Sequence, residues 1–325
     1  MSKIRIGIVG YGNLGKGVER SIKQNPDMEL VAIFSRRDVK TIANGSSKLV
    51  NISEIESYKD KVDVMMLCGG SATDLVVQGP SIAKHFNTVD SFDTHAKIPE
   101  YFESMDSVSK ESGKVSLIST GWDPGLFSLN RLLGQSVLPQ GVDYTFWGKG
   151  VSQGHSDAIR RVEGVKLGIQ YTIPNDEALQ KVRAGEEIEI KGNDGHERVC
   201  YIVPAENADK DKIEQEIKNM PNYFVGYKTT VNFISEEEFK ANHSGMPHGG
   251  SVFRSGTTEE GARQIIEFNL KLGSNPGFTS SVATAYARAV YKYSKEGRTG
   301  ALTVFDIPFA YLSPKSAEEL RRDIL

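Results

Sequence analysis

The sequence predicts an α/β fold: a doubly wound parallel sheet joined to a second α+β domain. Three observations predict it. Short β-rich runs alternate with helical patterns over the first 120 or so residues, which is the signature of a parallel sheet with helical crossovers. A glycine-rich turn, Gly10-Tyr11-Gly12-Asn13-Leu14-Gly15, sits between the first such run and the first helical pattern. Past residue 125 the segments lengthen and take on strand alternation.

Ile4, Ile6 and Ile8 alternate like a strand entering a buried sheet, and Leu14, Val18 and Ile22 recur every four residues like the apolar stripe of a helix. The glycines therefore lie at a strand-to-helix turn, the context in which a G-x-G-x-x-G pattern reads as a Rossmann-type dinucleotide fingerprint. Gly10 permits the tight turn, Gly12 lets backbone N–H groups approach a pyrophosphate, and Gly15 lets the helix pack closely on the strand. The helix N-terminus then faces the phosphates, with Tyr11, Asn13 and Leu14 on the same turn.

A second strand is expected over 29–34. An acidic residue at its end would bind the ribose 2′-OH of NAD, but the chain has Ser35, Arg36 and Arg37 there. Two guanidinium groups and a hydroxyl suit a 2′-phosphate, so NADP is the expected cofactor, solvated loop charges being the alternative.

Further strands are expected over 63–68, 88–92 and 115–119, with helices over 73–85 and 99–112. Ligands of such sheets bind at the strands' carboxyl ends. Three loops lie there. Cys68-Gly69-Gly70-Ser71-Ala72-Thr73 borders the cofactor with small residues; Asp90 to His95 carries Asp93; Thr120 to Gly125 carries Trp122 and Asp123. Asp123 before Pro124 equally fits a helix N-cap, and Asp93 and His95 fit turn positions.

Beyond these loops a helix is expected over 127–137, strands over 142–147, 165–173, 198–203, 227–234 and 266–272, and helices over 177–183 and 210–220. A mostly antiparallel or mixed sheet with helices on one face accounts for them, and a homodimer partner would cover the other face. Asn275-Pro276 fits the cap and first residue of a helix reaching 293, and segment 301–305 is expected to return to the first domain. The expected division is thus a dinucleotide-binding domain over 1–120, joined by about 298–325, and a substrate-binding and dimerisation domain over 121–297.

A net charge of −3, a pI near 6.1 and the lack of Lys/Arg runs argue against nucleic acid or membrane partners. The N-terminal residues enter a strand at once and no run of 18 apolar residues occurs, so a cytoplasmic protein is expected. Two cysteines cannot make a disulfide framework, and Cys68 reads as a buried strand-end residue. No His or Cys cluster with ligand spacing suggests a metal, and no G-x-S-x-G elbow supports acyl transfer. Trp147, Gln153, Gly154, His155, Thr172, Arg198 and His248 are polar or aromatic residues at segment ends that packing does not explain. With an NADP domain and carboxylates beside them, they suggest hydride transfer with a small, doubly charged substrate.

Seven stretches in chain order resemble the meso-diaminopimelate dehydrogenase family: Gly10 to Gly15, Phe34 to Arg37, Ser119-Thr-Gly-Trp-Asp-Pro-Gly125, Phe146-Trp-Gly148, Ser152-Gln-Gly-His-Ser-Asp157, Met220 to Gly226 and Gly245-Met-Pro-His-Gly-Gly250. The resemblance implies NADP-dependent, reversible oxidative deamination of the D-centre of meso-2,6-diaminopimelate to L-2-amino-6-oxopimelate, ammonia and NADPH, in L-lysine biosynthesis. By motif it places Asp93 and Asp123 at the D-centre's amine, with Trp122, Trp147, Gln153 and Gly154 around it. It places Thr172, Arg198, His248 and Asn275 at the distal L-centre, and it implies a homodimer. The general base stays open among Asp93, Asp123 and His155. Other readings are an oxidoreductase of a different amino or imino dicarboxylate, and a non-catalytic NADP(H)-binding regulator.

Overall fold

A computed structural model describes residues 3–38, 42, 48–221 and 223–325; Asn222, within the Met220 to Gly226 motif, lies outside the described residues. In chain order the elements begin with β1 (Ile4–Val9), α1 (Asn13–Gln24), β2 (Met28–Ser35), β3 (Leu49–Asn51), β4 (Val64–Leu67), α2 (Val76–Ala83), β5 (Asn87–Asp90), α3 (Ile98–Ser112) and β6 (Val115–Leu117). They continue with α4 (Leu126–Val137), β7 (Gly141–Trp147), β8 (Gly150–Val151), α5 (Gln153–Ile159), β9 (Val165–Pro174), α6 (Asp176–Arg183), β10 (His196–Pro204), α7 (Lys210–Lys218) and β11 (Lys228–Phe233). The last are α8 (Glu236–Asn242), β12 (His248–Glu259), β13 (Ala262–Leu272), α9 (Asn275–Lys295), β14 (Gly300–Leu302) and α10 (Ala317–Ile324).

The chain forms two compact units, residues 1–129 with 276–325, and residues 130–275. In the first, seven parallel strands run in the order β14-β6-β5-β4-β1-β2-β3, the doubly wound sheet expected of this half. Its inner strands are buried on both faces, as parallel strands under helices must be, whereas the edge strand β3 is only partly covered. One face packs Ile6, Ile8 and Met66 with Val18 and Ile22 of α1 and Tyr286, Ala287 and Val290 of α9. The other packs Phe34, Met65 and Leu67 with Ile82 of α2 and Tyr101 and Met105 of α3. Because α9 shares a core with β1 and α1, the chain rejoins the first unit at Pro276, well before the expected 298.

The α1 and α9 helices meet at a close crossing. A Cβ on Gly17 would stand 2.2 Å from Ser280 Oγ, and that hydroxyl donates to the Leu14 carbonyl at 2.9 Å. β5 and β6 each end two residues earlier than expected, and the freed residues become the roots of the Asp93 and Asp123 loops.

The second unit contains two sheets where one was expected. A four-stranded sheet runs β11-β10-β9-β8, parallel between β10 and β11 and antiparallel elsewhere; a three-stranded antiparallel sheet runs β13-β12-β7. Ile159 of α5 and Ile213 and Ile217 of α7 cover Cys200 and Ile202 of β10. β12 was not anticipated. It is the central strand, buried from Gly249 to Gly256, so it needs no alternation of polar and apolar residues, and its glycines and serines carry no strand propensity. Likewise Gln153, Gly154 and His155, expected in a loop, form the first turn of α5. Among the described residues no helix is long and apolar enough to cross a membrane.

Candidate functional site

In the first unit the glycine turn has the geometry its residues require. Gly10 adopts φ +90° and its N–H donates to the Phe34 carbonyl at 2.9 Å, tying the turn to the end of β2. A Cβ on Gly15 would lie 2.1 Å from the Gly10 carbonyl oxygen, so only glycine lets α1 start this close to β1. Gly12 differs: a Cβ there would meet no protein atom within 4 Å. Packing within the chain does not demand glycine at that position, which accords with backbone exposed for close approach by a phosphate.

Beside this turn lies a cavity of about 260 Å³ that gathers Gly10, Tyr11, Gly12, Ser35, Arg36, Arg37, Cys68 and Gly69. Asn13 and Leu14 open α1 next to it. Ser71, Ala72 and Thr73 belong to a one-turn π-helical segment, Ser71–Leu75, and do not line it. Arg37 Nη2 donates to the Tyr11 carbonyl at 2.9 Å, while the largely exposed Arg36 donates through Nη2 to Asp74 Oδ1 at 2.7 Å. Asp74, whose Oδ2 accepts the Gly70 N–H, is a cavity residue that the sequence reading missed. An acid on a turn after a strand has no spacing signal of its own. Burial pushes the Cys68 thiol up to about 12, so it stays protonated and serves as wall rather than nucleophile.

The next two loops are joined to their neighbours by hydrogen bonds. Asp93, exposed, donates its N–H to Ser71 Oγ at 3.0 Å. Trp122 is buried edge-on against Phe127, ring centroids 5.2 Å apart, and bridges to Gly125. Asp123 is half-buried and its bond to Pro124 is cis. α4 begins only at Leu126, so Asp123 does not occupy the helix-capping position its sequence suggested.

In the second unit the sheet register brings distant residues together. Arg198 and Thr172 are directly opposite on β10 and β9, and Thr172 is opposite Gly150 on β8. A Cβ on Gly150 would lie 2.4 Å from His248 Cγ, so His248 comes next in the row. Arg198 is 8% exposed, donates from Nη1 to Thr172 Oγ1 at 2.6 Å and stacks over the Tyr227 ring at 4.0 Å. Its Nε has no hydrogen-bond partner, and among the described residues no carboxylate pairs with it. Burial lowers its pKa, as it does for a buried cation without a counter-ion.

Around that row, Met246 accepts the Gln153 amide at its sulfur (3.3 Å) and the Asn275 N–H at its carbonyl (2.8 Å). Met246 was given no role from sequence, although it lies within the Gly245 to Gly250 motif. Gly154 follows Gln153 in α5, and a Cβ there would meet nothing within 4 Å. Trp147 donates its backbone N–H to His196 Nε2 at 2.8 Å and packs against that ring. Burial lowers the pKa of His248.

His155 is resolved by its partners. Its Nε2 lies 3.1 Å from the Tyr223 carbonyl, which can only accept, so Nε2 holds the proton and donates. Nδ1 then accepts the Ser152 hydroxyl at 2.7 Å. Burial, and secondarily the Arg198 charge, push its pKa down to about 4, so it is a neutral, fully bonded ring.

A parallel doubly wound sheet, a glycine turn opening onto a cavity and two arginines past the second strand together define a Rossmann-type dinucleotide-binding protein. Residues 121–274 match the model of the diaminopimelic acid dehydrogenase C-terminal domain. Over the full length of both chains the sequence is 65% identical to a meso-diaminopimelate D-dehydrogenase of Ureibacillus thermosphaericus. The fold matches the Corynebacterium glutamicum DAP dehydrogenase in complex with DAP with a TM-score of 0.92 at 44% identity, covering all of both chains. It matches an engineered D-amino acid dehydrogenase bound to NADP+ with a TM-score of 0.88 at 42% identity, again over all of both chains. The chain belongs to the meso-diaminopimelate D-dehydrogenase family.

Proposed function

We propose that the protein catalyses the NADP-dependent, reversible oxidative deamination of the D-centre of meso-2,6-diaminopimelate, in which NADP+ takes the hydride and water hydrolyses the resulting imine to give L-2-amino-6-oxopimelate, ammonia and NADPH, as a step of L-lysine biosynthesis. Full-length identity to proteins of that name, a DAP complex and an NADP+ complex among the related structures support the reading. The observation in this chain that carries it is Arg198: a buried guanidinium, stacked, hydrogen-bonded on one side and without a carboxylate of its own, is a receptor for a substrate carboxylate.

In this reading Gly10 to Leu14 receive the pyrophosphate, Arg36, Arg37 and Ser35 the 2′-phosphate, and the loop from Cys68 to Thr73 borders the rest of the nucleotide. The residues fit that group, since the turn leaves Gly12 backbone accessible and the arginines line the same cavity. NADP+ supplies the hydride acceptor. Asp93 and Asp123 accept hydrogen bonds from the D-centre's ammonium, with Trp122, Trp147, Gln153 and Gly154 enclosing it. Arg198, with Thr172, His248 and Asn275, holds the distal amino-acid end. Gripping both ends lets only one centre present its hydrogen. Both ring nitrogens of His155 are engaged, which leaves one of Asp93 and Asp123 to take the proton of the ammonium.

The expected result is NADP+ reduction by meso-diaminopimelate at least about 100-fold faster than by the L,L isomer, since positioning of one centre alone is worth several kcal/mol. Initial rates of NADPH formation with the two isomers measure it, and equal rates refute the stereochemical assignment.

A homodimer belongs to the same proposal. Leu132, Leu133 and Val137 of α4 and Val142 of β7 are large apolar residues left 41–57% exposed in the second unit, the kind of patch that a symmetric partner covers. Sedimentation should give twice the chain mass for the unsubstituted protein and a shift to monomer for Leu133→Lys; a monomeric unsubstituted protein removes this part of the proposal.

A further inference from the structure

Asp90, the last residue of β5, has no role in the functional reading, yet it is bonded to both loops that carry the aspartates. It is 1% exposed. Its Oδ1 accepts the backbone N–H of Phe92 at 2.9 Å and that of Ser119 at 3.0 Å, and its Oδ2 accepts the Tyr101 hydroxyl at 2.8 Å. Its carbonyl oxygen accepts both the N–H (2.9 Å) and the hydroxyl (2.5 Å) of Thr120. Phe92 immediately precedes Asp93, and Ser119 and Thr120 lead directly into Trp122 and Asp123. One residue therefore ties the root of the first loop to the root of the second.

Two further features fit this arrangement. Ser119 has φ +57°, in the left-handed region, which costs a residue with a side chain of order 1 kcal/mol or more. The bond from its N–H to Asp90 holds it in that conformation, and the conformation sets the direction in which the chain leaves β6. Phe92 stacks on Tyr101, ring centroids 4.2 Å apart and planes 15° from parallel, so the donor to Oδ2 is itself fixed against the first loop. A buried carboxylate is costly, and three converging donors are what make it tolerable here.

We propose that Asp90 is a positioning residue for the deamination: by clamping the Phe92–Asp93 turn to the Ser119–Thr120 turn it fixes the two aspartate-bearing loops against one another. The inference rests on the proposed roles of Asp93 and Asp123. It assigns Asp90 no contact with substrate or nucleotide. An asparagine would keep the Oδ1 acceptor for both backbone N–H groups and would donate from Nδ2 to the Tyr101 hydroxyl, which reverses its own role and accepts. An alanine would release all three donors.

The test compares the unsubstituted protein, Asp90→Ala and Asp90→Asn for kcat and KM with meso-diaminopimelate, and for NADPH affinity by nucleotide fluorescence. A misplacement of about 1 Å can cost about 100-fold in rate, so Asp90→Ala should lower kcat about 30- to 100-fold while NADPH affinity changes less than about 3-fold. Asp90→Asn should restore kcat to within about 5-fold of the unsubstituted protein, because it keeps the Oδ1 acceptor. If Asp90→Ala keeps its kcat, or loses NADPH affinity in parallel with kcat, the positioning role is overturned.

Should Asp90→Ala fail to fold, Tyr101→Phe removes only the hydroxyl that anchors Oδ2. A kcat lowered about 3- to 10-fold with unchanged NADPH affinity then supports the role, the loss of one buried hydrogen bond being worth about 1 kcal/mol, and an unchanged kcat overturns it. An unsubstituted protein that binds NADPH but does not oxidise meso-diaminopimelate refutes the underlying functional reading instead, and is seen before any variant is compared.

Discussion

The glycine turn of the first unit and the Arg198 row of the second build their sites by opposite means. In the turn the backbone does the work: Gly10, Gly12 and Gly15 are defined by what a side chain would obstruct or expose. In the row the side chains do it, and their neighbourhood is set by strand register, with Arg198, Thr172 and Gly150 aligned across three strands. A backbone site needs contiguous residues and so leaves a motif. A register site draws on residues far apart in the chain, and no local pattern marks it.

If the two regions serve different ligands, damage to one should spare the other. The largest effect is expected from Arg198→Met, which removes the buried cation: kcat/KM for meso-diaminopimelate should fall at least about 100-fold, or about 3 kcal/mol, with NADPH affinity unchanged. Steady-state kinetics beside a nucleotide titration would show this, and a parallel loss of NADPH binding would break the distinction. The converse experiment is smaller. Replacing Arg36 and Arg37 together by Ala should weaken NADP about 10- to 100-fold and NAD less than about 3-fold, since charge-assisted bonds to a 2′-phosphate are worth roughly 1–3 kcal/mol. An unchanged NADP/NAD preference would return both side chains to the status of solvated charges.

What was legible in the sequence follows the same divide. Ile4, Ile6 and Ile8 announced β1 through their alternation and β-branched side chains, and Leu14, Val18 and Ile22 announced α1 because one-sided burial imposes a period on a helix. β12 was invisible for the complementary reason: a central strand buried on both faces and rich in Gly and Ser has neither period nor propensity. In the candidate site, the residues of the nucleotide turn could be given physical roles from the sequence alone. Thr172, Arg198, His248 and Asn275 could only be grouped by resemblance, since nothing in a linear sequence puts Arg198 opposite Thr172. Asp90 escaped attention because the two partners that tie the loops together are backbone N–H groups, which every residue but proline possesses.

The placement of β14 bears on how the protein is made. Its pairing sets Leu302 beside Leu117 at the edge of the seven-stranded sheet, and α9 supplies part of the same core. The second unit, continuous from 130 to 275, can therefore complete itself on the ribosome while the first still waits for its last strand and covering helix. Until residues 300–302 emerge, β6 is an unpaired strand edge over an uncovered apolar face, the form in which a nascent chain is most exposed to aggregation.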